Sequence, residues 1–315
     1  MFSDDRCREV ILRSLAVGDE KAAGEFGLKL ESLSRMKRRF KKIAPGIIEN
    51  IDNLNKIQTT FSDKELSAIT QSSKVRPVDY RSETIDFTGE KLKYMQITDT
   101  HIGHIMSDEE LIRSAMKLAV DEGCEFVIHT GDVTEGMSNR PGHVYELQHI
   151  GYKAQMDAAC EIFKDSELPI YAIDGNHDRW YIKACGAYIV EDISKELEQF
   201  NYLGCDFATL KAGGVDIGLW HGEDGNSYAL SYRMQKIVEA MTESQLPQIL
   251  HAGHTHKYVT CNVRNIPTVS GGTGCGQTNW MRGKRIEAHV GFVIEELTIQ
   301  NGNIIRNNTE FIKGE

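Results

Sequence analysis

Short polar clusters recur in this sequence where apolar runs stop. "MQITDTH" ends on Asp99 and His101, "VIHTGD" on Asp132, and "YAIDGNHD" on Asn176, His177 and Asp178. "GLWHG" ends on His221, and "LHAGHTH" on His254 and His256. A mixture of carboxylate, amide and imidazole suits Mn, Fe or Zn better than the all-oxygen cages of Ca or Mg. The set is too large for one ion. Two ions about 3.5–4 Å apart, bridged by a carboxylate and a hydroxide, would use them all, and such a centre hydrolyses phosphoesters. Residues two apart on an extended chain point the same way, so Asp99 with His101 and His254 with His256 are expected to form chelating pairs. Glycines at 131, 175, 222 and 253 allow the sharp turns that so crowded a place needs.

The elements that must carry these residues alternate in type. Strands are expected over 92–99, 125–132, 169–176, 215–222 and 248–256. Between them, Ser107-x-x-Glu110 forms a capping box for a helix through Val120, 143–164 reads as helical, and a further helix lies near 229–241. The tail turns as a hairpin at Asn301-Gly302. Buried strands alternating with helices predict a layered α/β fold, whose strand ends face one crevice. Of the remaining histidines, His129 and His251 lie within strands and read as structural, as does His104, although the "DTHIGH" segment could bring it to the rim. Cys124 and Cys160 read as small core residues.

D-x-H, G-D, G-N-H-D, a strand-end His and G-H-x-H, in this order over about residues 91–290, resemble the calcineurin-like metallophosphoesterase superfamily. The resemblance implies a β-sandwich flanked by helices. It implies one metal held by Asp99, His101 and His256, a second held by Asn176, His221 and His254, and Asp132 bridging both. It further implies that His177 protonates the leaving alkoxide or stabilises the phosphoryl oxygens, with Asp178 orienting its ring. Mn2+ is the favoured ion, with Fe and Zn open. Phosphoprotein phosphatases of this superfamily carry G-D-x-x-D-R-G and G-N-H-E. Here "GDVTEGMSNR" has no arginine directly after the acid, and the third motif ends in Asp178. The chain is closer to the SbcD-type nucleases and to cyclic-nucleotide phosphodiesterases.

The chain has 315 residues and a net charge of −10, distributed unevenly. Residues 1–75 carry 14 Lys and Arg against 11 Asp and Glu, net +3, so the other 240 carry 22 against 35, net −13. The basic part reads as a helical domain, with a stripe of Ala22, Ala23 and Phe26 stopping at Gly27 and resuming at Leu30, Leu33 and Met36. It resembles the helix-turn-helix of small bacterial and phage DNA-binding domains, and Arg35, Lys37, Arg38 and Arg39 on its second helix suit phosphates. A packing or protein-interaction bundle with a solvated basic face fits the same residues. Residues 76–90 read as a linker to a catalytic domain over 91–315. The glycine-rich stretch 270–289 carries Trp280 and Arg282, which could offer stacking and charge to a polynucleotide or simply be solvated. Seven scattered cysteines without a C-x-x-C pair fit reduced thiols in a cytoplasm. The charged start reads as no secretory signal, and no apolar run reaches membrane length.

Three readings follow. The favoured one is a metal-dependent phosphodiesterase acting on nucleic acid, DNA first. Another is an esterase of small molecules or cyclic nucleotides whose N-terminal bundle does not bind DNA. The third is a DNA-binding regulator that senses a nucleotide with little turnover.

Overall fold

The computed structural model describes residues 9–11, 13–14, 17–43, 81–223 and 229–314, with no side-chain description for 39–43 and 244. The chain divides into two compact units, Met1–Val75 and Arg76–Glu315. In the first, helix α1 spans Asp19–Glu25 and α2 spans Leu30–Ile43. Gly27, with φ 63°, makes the turn between them. Val10, Ile11, Ala23, Leu33 and Met36 form the small core, joined by Phe26 and Leu28. Leu30, expected on the apolar stripe, is 47% exposed, and Leu28 from the turn packs in its stead.

The large unit is built on two six-stranded sheets. One has the order β12-β11-β2-β3-β4-β5 and the other β1-β6-β7-β8-β10-β9. The strands of the first are β2 (Lys91–Ile97), β3 (Phe126–His129), β4 (Ile170–Asp174), β5 (Phe200–Cys205), β11 (Gly291–Gln300) and β12 (Asn303–Lys313). Its β2 to β5 run parallel, with β11 and β12 antiparallel at one side. The second sheet holds β1 (Ser82–Ile85), β6 (Phe207–Ala212), β7 (Val215–Trp220), β8 (Ile249–Ala252), β9 (Tyr258–Val263) and β10 (Ile266–Gly271). The segment expected to be a linker therefore contributes structure: β1 pairs in parallel with β6. Its residues alternate Ser, Glu, Thr, Ile, too polar to announce a strand but suited to an edge.

The strand pattern explains the layering. On β2, Leu92 and Tyr94 face the second sheet and join Phe126, Ile128, Leu210, Ile217, Leu219 and Leu297 in the core between sheets. Met95 and Ile97, one residue out of phase, face the helices on the other side. There α3 (Glu109–Asp121) lays down Ile112, Ala115, Met116 and Ala119, and α4 (Tyr152–Phe163) lays down Ala159, Ile162 and Phe163. Helices α5 (Asp178–Cys185) and α6 (Ile189–Glu196) follow, then α7 (Ser231–Ala240) and α8 (Asn279–Lys284). A buried polar staple also crosses between sheets. Gln96 donates to the Ala252 carbonyl at 2.9 Å and meets His251 Nδ1 at 2.8 Å, while the Tyr94 hydroxyl lies 2.7 Å from His251 Nε2.

Three expectations change in detail. The cap of α3 is Asp108, which accepts from the Leu111 amide at 2.9 Å, while Ser107 donates to the Thr100 carbonyl at 2.7 Å. The stretch 143–164 breaks into a 3-10 turn at His143–Glu146 and α4, because Gly151 with φ 94° interrupts the helix. The strand expected over 248–256 stops at Ala252, and the chain reverses into the β9–β10 hairpin. The tail does turn at Asn301-Gly302, both with positive φ.

Candidate metal centre

The loops leaving β2, β3 and β4 deliver Asp99, His101, Asp132 and Asn176; those leaving β7 and β8 deliver His221, His254 and His256. All seven converge. Asp99, His101 and His256 offer ligand atoms within 4.8 Å of one another, and so do Asp132, His221 and His254. Asn176 Oδ1 lies 2.9 Å from His221 Nε2, and Asp132 Oδ2 lies 3.2 Å from that nitrogen and 3.7 Å from His101 Nε2. Asp132 thus stands between the two groups.

The expected chelating pairs do not form on extended chain. Asp99, His101, Asp132, His254 and His256 all have left-handed φ between 45° and 67°. Each such residue costs on the order of 1 kcal/mol, so the surrounding hydrogen bonds must enforce the shape. Asp99 and His101 converge because their loop coils, held by Asp99 and His101 amides donating to the Gly131 and Asp132 carbonyls at 3.0 Å each. His254 and His256 part company: His256 joins Asp99, and His254 joins Asp132. The His254 amide also donates to both oxygens of Asp99, at 2.8 and 3.0 Å, locking the two sheets' loops together. At Gly175 a Cβ would fall 2.2 Å from Asp132 Oδ1, so only glycine lets the third loop pass.

Two features test whether cations fit here. His221 Nδ1 sits 2.9 Å from the Thr130 carbonyl, which can only accept, so the proton is on Nδ1. The Nε2 lone pair then confronts two oxygens, Asn176 Oδ1 and Asp132 Oδ2, an arrangement that calls for a shared proton or a cation. Similarly, His101 Nδ1 is 2.7 Å from Glu135 Oε2, and its Nε2 faces His256 Nε2 at 3.0 Å. His256 Nδ1 is buried without a partner. Lone pairs of nitrogen and oxygen therefore point at common spots, a donor set that fits divalent transition metals.

His177 and Asp178 begin α5 beside this cluster. His177 Nδ1 donates to the Glu135 carbonyl at 2.9 Å and lies 3.3 Å from Glu135 Oε2. Burial opposes its charge, but Asp132 and Glu135 outweigh that and raise His177 to about 10. Asp132, though buried, is held well below the usual carboxylate range by His221 and His177. Asp178 does not orient the His177 ring. Its carboxylate accepts from the amides of Val133, Thr134 and Gly175 and from the Thr134 hydroxyl, at 2.8 to 3.0 Å. It is a staple between the second and third loops, while Glu135 holds the ring.

Glu135 was missed by the sequence reading, although it stands three residues after Asp132. Its oxygens meet His101 Nδ1 at 2.7 Å and His143 Nε2 at 2.8 Å. The duller histidines are structural as expected. His129 touches the Thr100 hydroxyl at 3.0 Å and His251 belongs to the intersheet staple. Burial drives both down to about 3, so both are neutral. His104 is buried and accepts from the Met106 amide at 2.9 Å, so it shapes its turn and does not reach the rim.

The basic residues divide. Lys37 reaches Asp19 at 2.5 Å, Arg35 and Arg38 are exposed, and the Arg39 side chain lies outside the described residues. The first half of the glycine-rich stretch is buried behind the site: Thr273 donates to the Asp99 carbonyl at 2.9 Å, and the Gly274 amide to Thr98 at 3.1 Å. Its second half forms α8, capped by Thr278, with Trp280 51% exposed and Arg282 exposed. Among the described residues no helix is long and apolar enough to cross a membrane.

A DNA polymerase II small subunit from Methanothermobacter thermautotrophicus is 23% identical over 233 residues, covering 59% of this chain and 48% of that protein. The chain spans about half the length of that curated relative. Among solved structures, a novel archaeal phosphodiesterase is similar at 19% identity and TM-score 0.43, over 70% of this chain and 100% of its own. Vacuolar protein sorting 29 from Cryptosporidium parvum is similar at 15% identity and TM-score 0.41, over 72% and 100%. The profile of the calcineurin-like phosphoesterase superfamily domain matches residues 92–285, well over half of the chain. With its motifs gathered at one set of loops, the chain belongs to the calcineurin-like phosphoesterase superfamily.

Proposed function

We propose that this protein is a divalent-metal-dependent phosphodiesterase acting on nucleic acid, DNA first. The observation that carries the reading is the convergence of seven candidate ligand side chains beside His177, with the arginine that follows the G-N-H-D motif already engaged by carboxylates. Arg179, the nearest in sequence, is tied to Asp174 at 3.3 Å, Asp206 at 3.6 Å and Glu223 at 2.5 Å. A diester carries one charge on its phosphate and needs less cationic clamping. The relative's name, a DNA polymerase subunit, supports nucleic acid as the ligand class.

Asp99, His101 and His256 would hold one cation, and Asn176, His221 and His254 a second, with Asp132 shared and Mn2+ favoured. The chemistry a bound pair supplies is polarisation of the phosphoryl oxygens and a lower pKa for the attacking water. The chain's own residues do the rest. Because His177 Nδ1 donates to the Glu135 carbonyl, its second proton sits on Nε2, free to pass to a leaving alkoxide. Asp178 keeps the amides around Asp132 fixed, and Glu135 keeps His101 in one tautomer and the His177 ring in one orientation.

The test is a panel of single- and double-stranded DNA, RNA, cyclic nucleotides and aryl esters with Mn2+, with His177→Ala as control. The reading expects nucleic-acid cleavage that falls at least about a hundredfold in the variant. It also expects weaker DNA binding in an Arg35→Ala, Arg38→Ala protein. Hydrolysis of small esters with every polynucleotide left intact favours the second reading, a small-molecule phosphodiesterase. That reading draws on the acidic large unit and on Lys37 being engaged by Asp19.

A further inference from the structure

Large apolar side chains are exposed in an uneven way. Ile105 and Met106 are 48% and 38% exposed, and Val144 and Tyr145 are 41% and 85% exposed. All four belong to two segments bound to each other and to the metal-ligand loop. The Ile105 amide donates to the Glu146 carbonyl at 2.9 Å, and His104 bridges to Leu147. The amides of Gln148 and His149 both donate to the Gly103 carbonyl, two residues past His101. On the other flank the Gly276 amide donates to the Met106 carbonyl at 2.8 Å, tying in the stretch that leads to Trp280.

A run of rings connects this wall to the proton donor. His177 packs against Trp180 with centroids 3.9 Å apart and ring planes tilted by 33°, and Trp180 meets His143 edge-on at 5.5 Å. His143 opens the 3-10 turn that exposes Val144 and Tyr145. The wall is thus fixed relative to His177 by hydrogen bonds and ring contacts, not by a floppy tether.

We propose that this wall is a stacking surface for unpaired nucleobases, so that the substrate is single-stranded nucleic acid. The proposal rests on the phosphodiesterase reading above and narrows it. A diester bound at the ligand cluster sends two ester arms outward, and the wall starts within a few residues of His101, where an arm leaving on that side would meet it. Bases of a duplex keep their faces covered and cannot meet Tyr145; unpaired bases can, and base–aromatic contacts give affinity without sequence preference. Residues 76–315 carry a net −13, which opposes any polyanion but weighs more heavily against the charge density of a duplex than against a single strand. Base contacts add affinity to whatever phosphate contacts a single strand makes.

The test uses the full chain and equilibrium binding by fluorescence anisotropy in the presence of a chelator, so that turnover plays no part. The probes are a single-stranded oligonucleotide, the same length of abasic strand, and the duplex. The base-bearing strand is expected to bind about tenfold tighter than the abasic one, and Tyr145→Ala to remove most of that ratio while Tyr145→Phe keeps it. Equal binding of base-bearing and abasic strands, or tighter binding of the duplex, overturns the stacking surface. Hydrolysis of bis(p-nitrophenyl) phosphate by the Mn2+-loaded wild type is measured alongside. Its absence overturns the phosphodiesterase reading, whereas its presence with equal binding overturns the surface alone.

Discussion

Glu135 Oε2 lies 2.7 Å from His101 Nδ1, and the backbone carbonyl of the same residue receives the proton of His177 Nδ1. One residue therefore holds an imidazole of the proposed metal cluster with its side chain and the proposed proton donor with its main chain. Substituting Glu135→Gln leaves the carbonyl in place and removes the carboxylate charge that faces His101, His143 and His177. Mn2+ affinity, read by calorimetric titration, is expected to fall about ten- to a hundredfold. Unchanged affinity would show that Glu135 does not support the ligand.

Asp178 and His177 are neighbours with separable duties. Removing one charge-assisted acceptor from a buried carboxylate that serves four donors costs about 2 kcal/mol, so Asp178→Asn should lower stability by that amount in urea unfolding. His177→Ala should instead abolish proton donation while moving the unfolding midpoint far less. Equal destabilisation by both would contradict the separation.

The α3 cap gives a similar contrast. Asp108→Ala removes the acceptor of the Leu111 amide and should cost about 1 kcal/mol of stability with metal affinity unchanged. Ser107→Ala removes the donor to the Thr100 carbonyl, inside the ligand loop. It should weaken metal binding more than it weakens the fold. Thermal melts and metal titrations on the two proteins decide it.

Glu295 sits buried on β11 with Oε1 unpartnered and Oε2 accepting from Thr309 at 2.7 Å. Burial raises it from 4.5 to about 7, so the folded protein holds a proton that the unfolded chain has lost across that window. This contribution is greatest below the unfolded value and declines as pH rises towards 7. Glu295→Gln should remove that decline and add on the order of 1–3 kcal/mol at pH 8, measured by urea unfolding across pH. A variant less stable than wild type at pH 8 would refute the account.

Motif order was enough to pick out the side chains that converge, because the expected chemistry depends on residue type at the ends of apolar runs such as "YAIDGNHD". The conformations were not legible. Nothing in D-x-H or G-H-x-H says that its residues adopt left-handed φ, since that is imposed by contacts with loops far away in the chain. Asp178 was misread for the same reason: its partners are backbone amides of residues 133, 134 and 175, and amides carry no sequence signature. Glu135 stood beside the second motif, yet its three histidine neighbours come from separate loops. The strand at 82–85 was hidden by its polar composition, and Leu30 by a one-turn ambiguity in a short apolar stripe.

The candidate ligands divide between the two sheets: Asp99, His101, Asp132 and Asn176 come from one, and His221, His254 and His256 from the other. A nascent chain released only as far as β5 would hold half a cradle, rich in acid and short of imidazole. The cluster is then incomplete until β7 and β8 dock against the first sheet, so any reaction it performs depends on both sheets being in place.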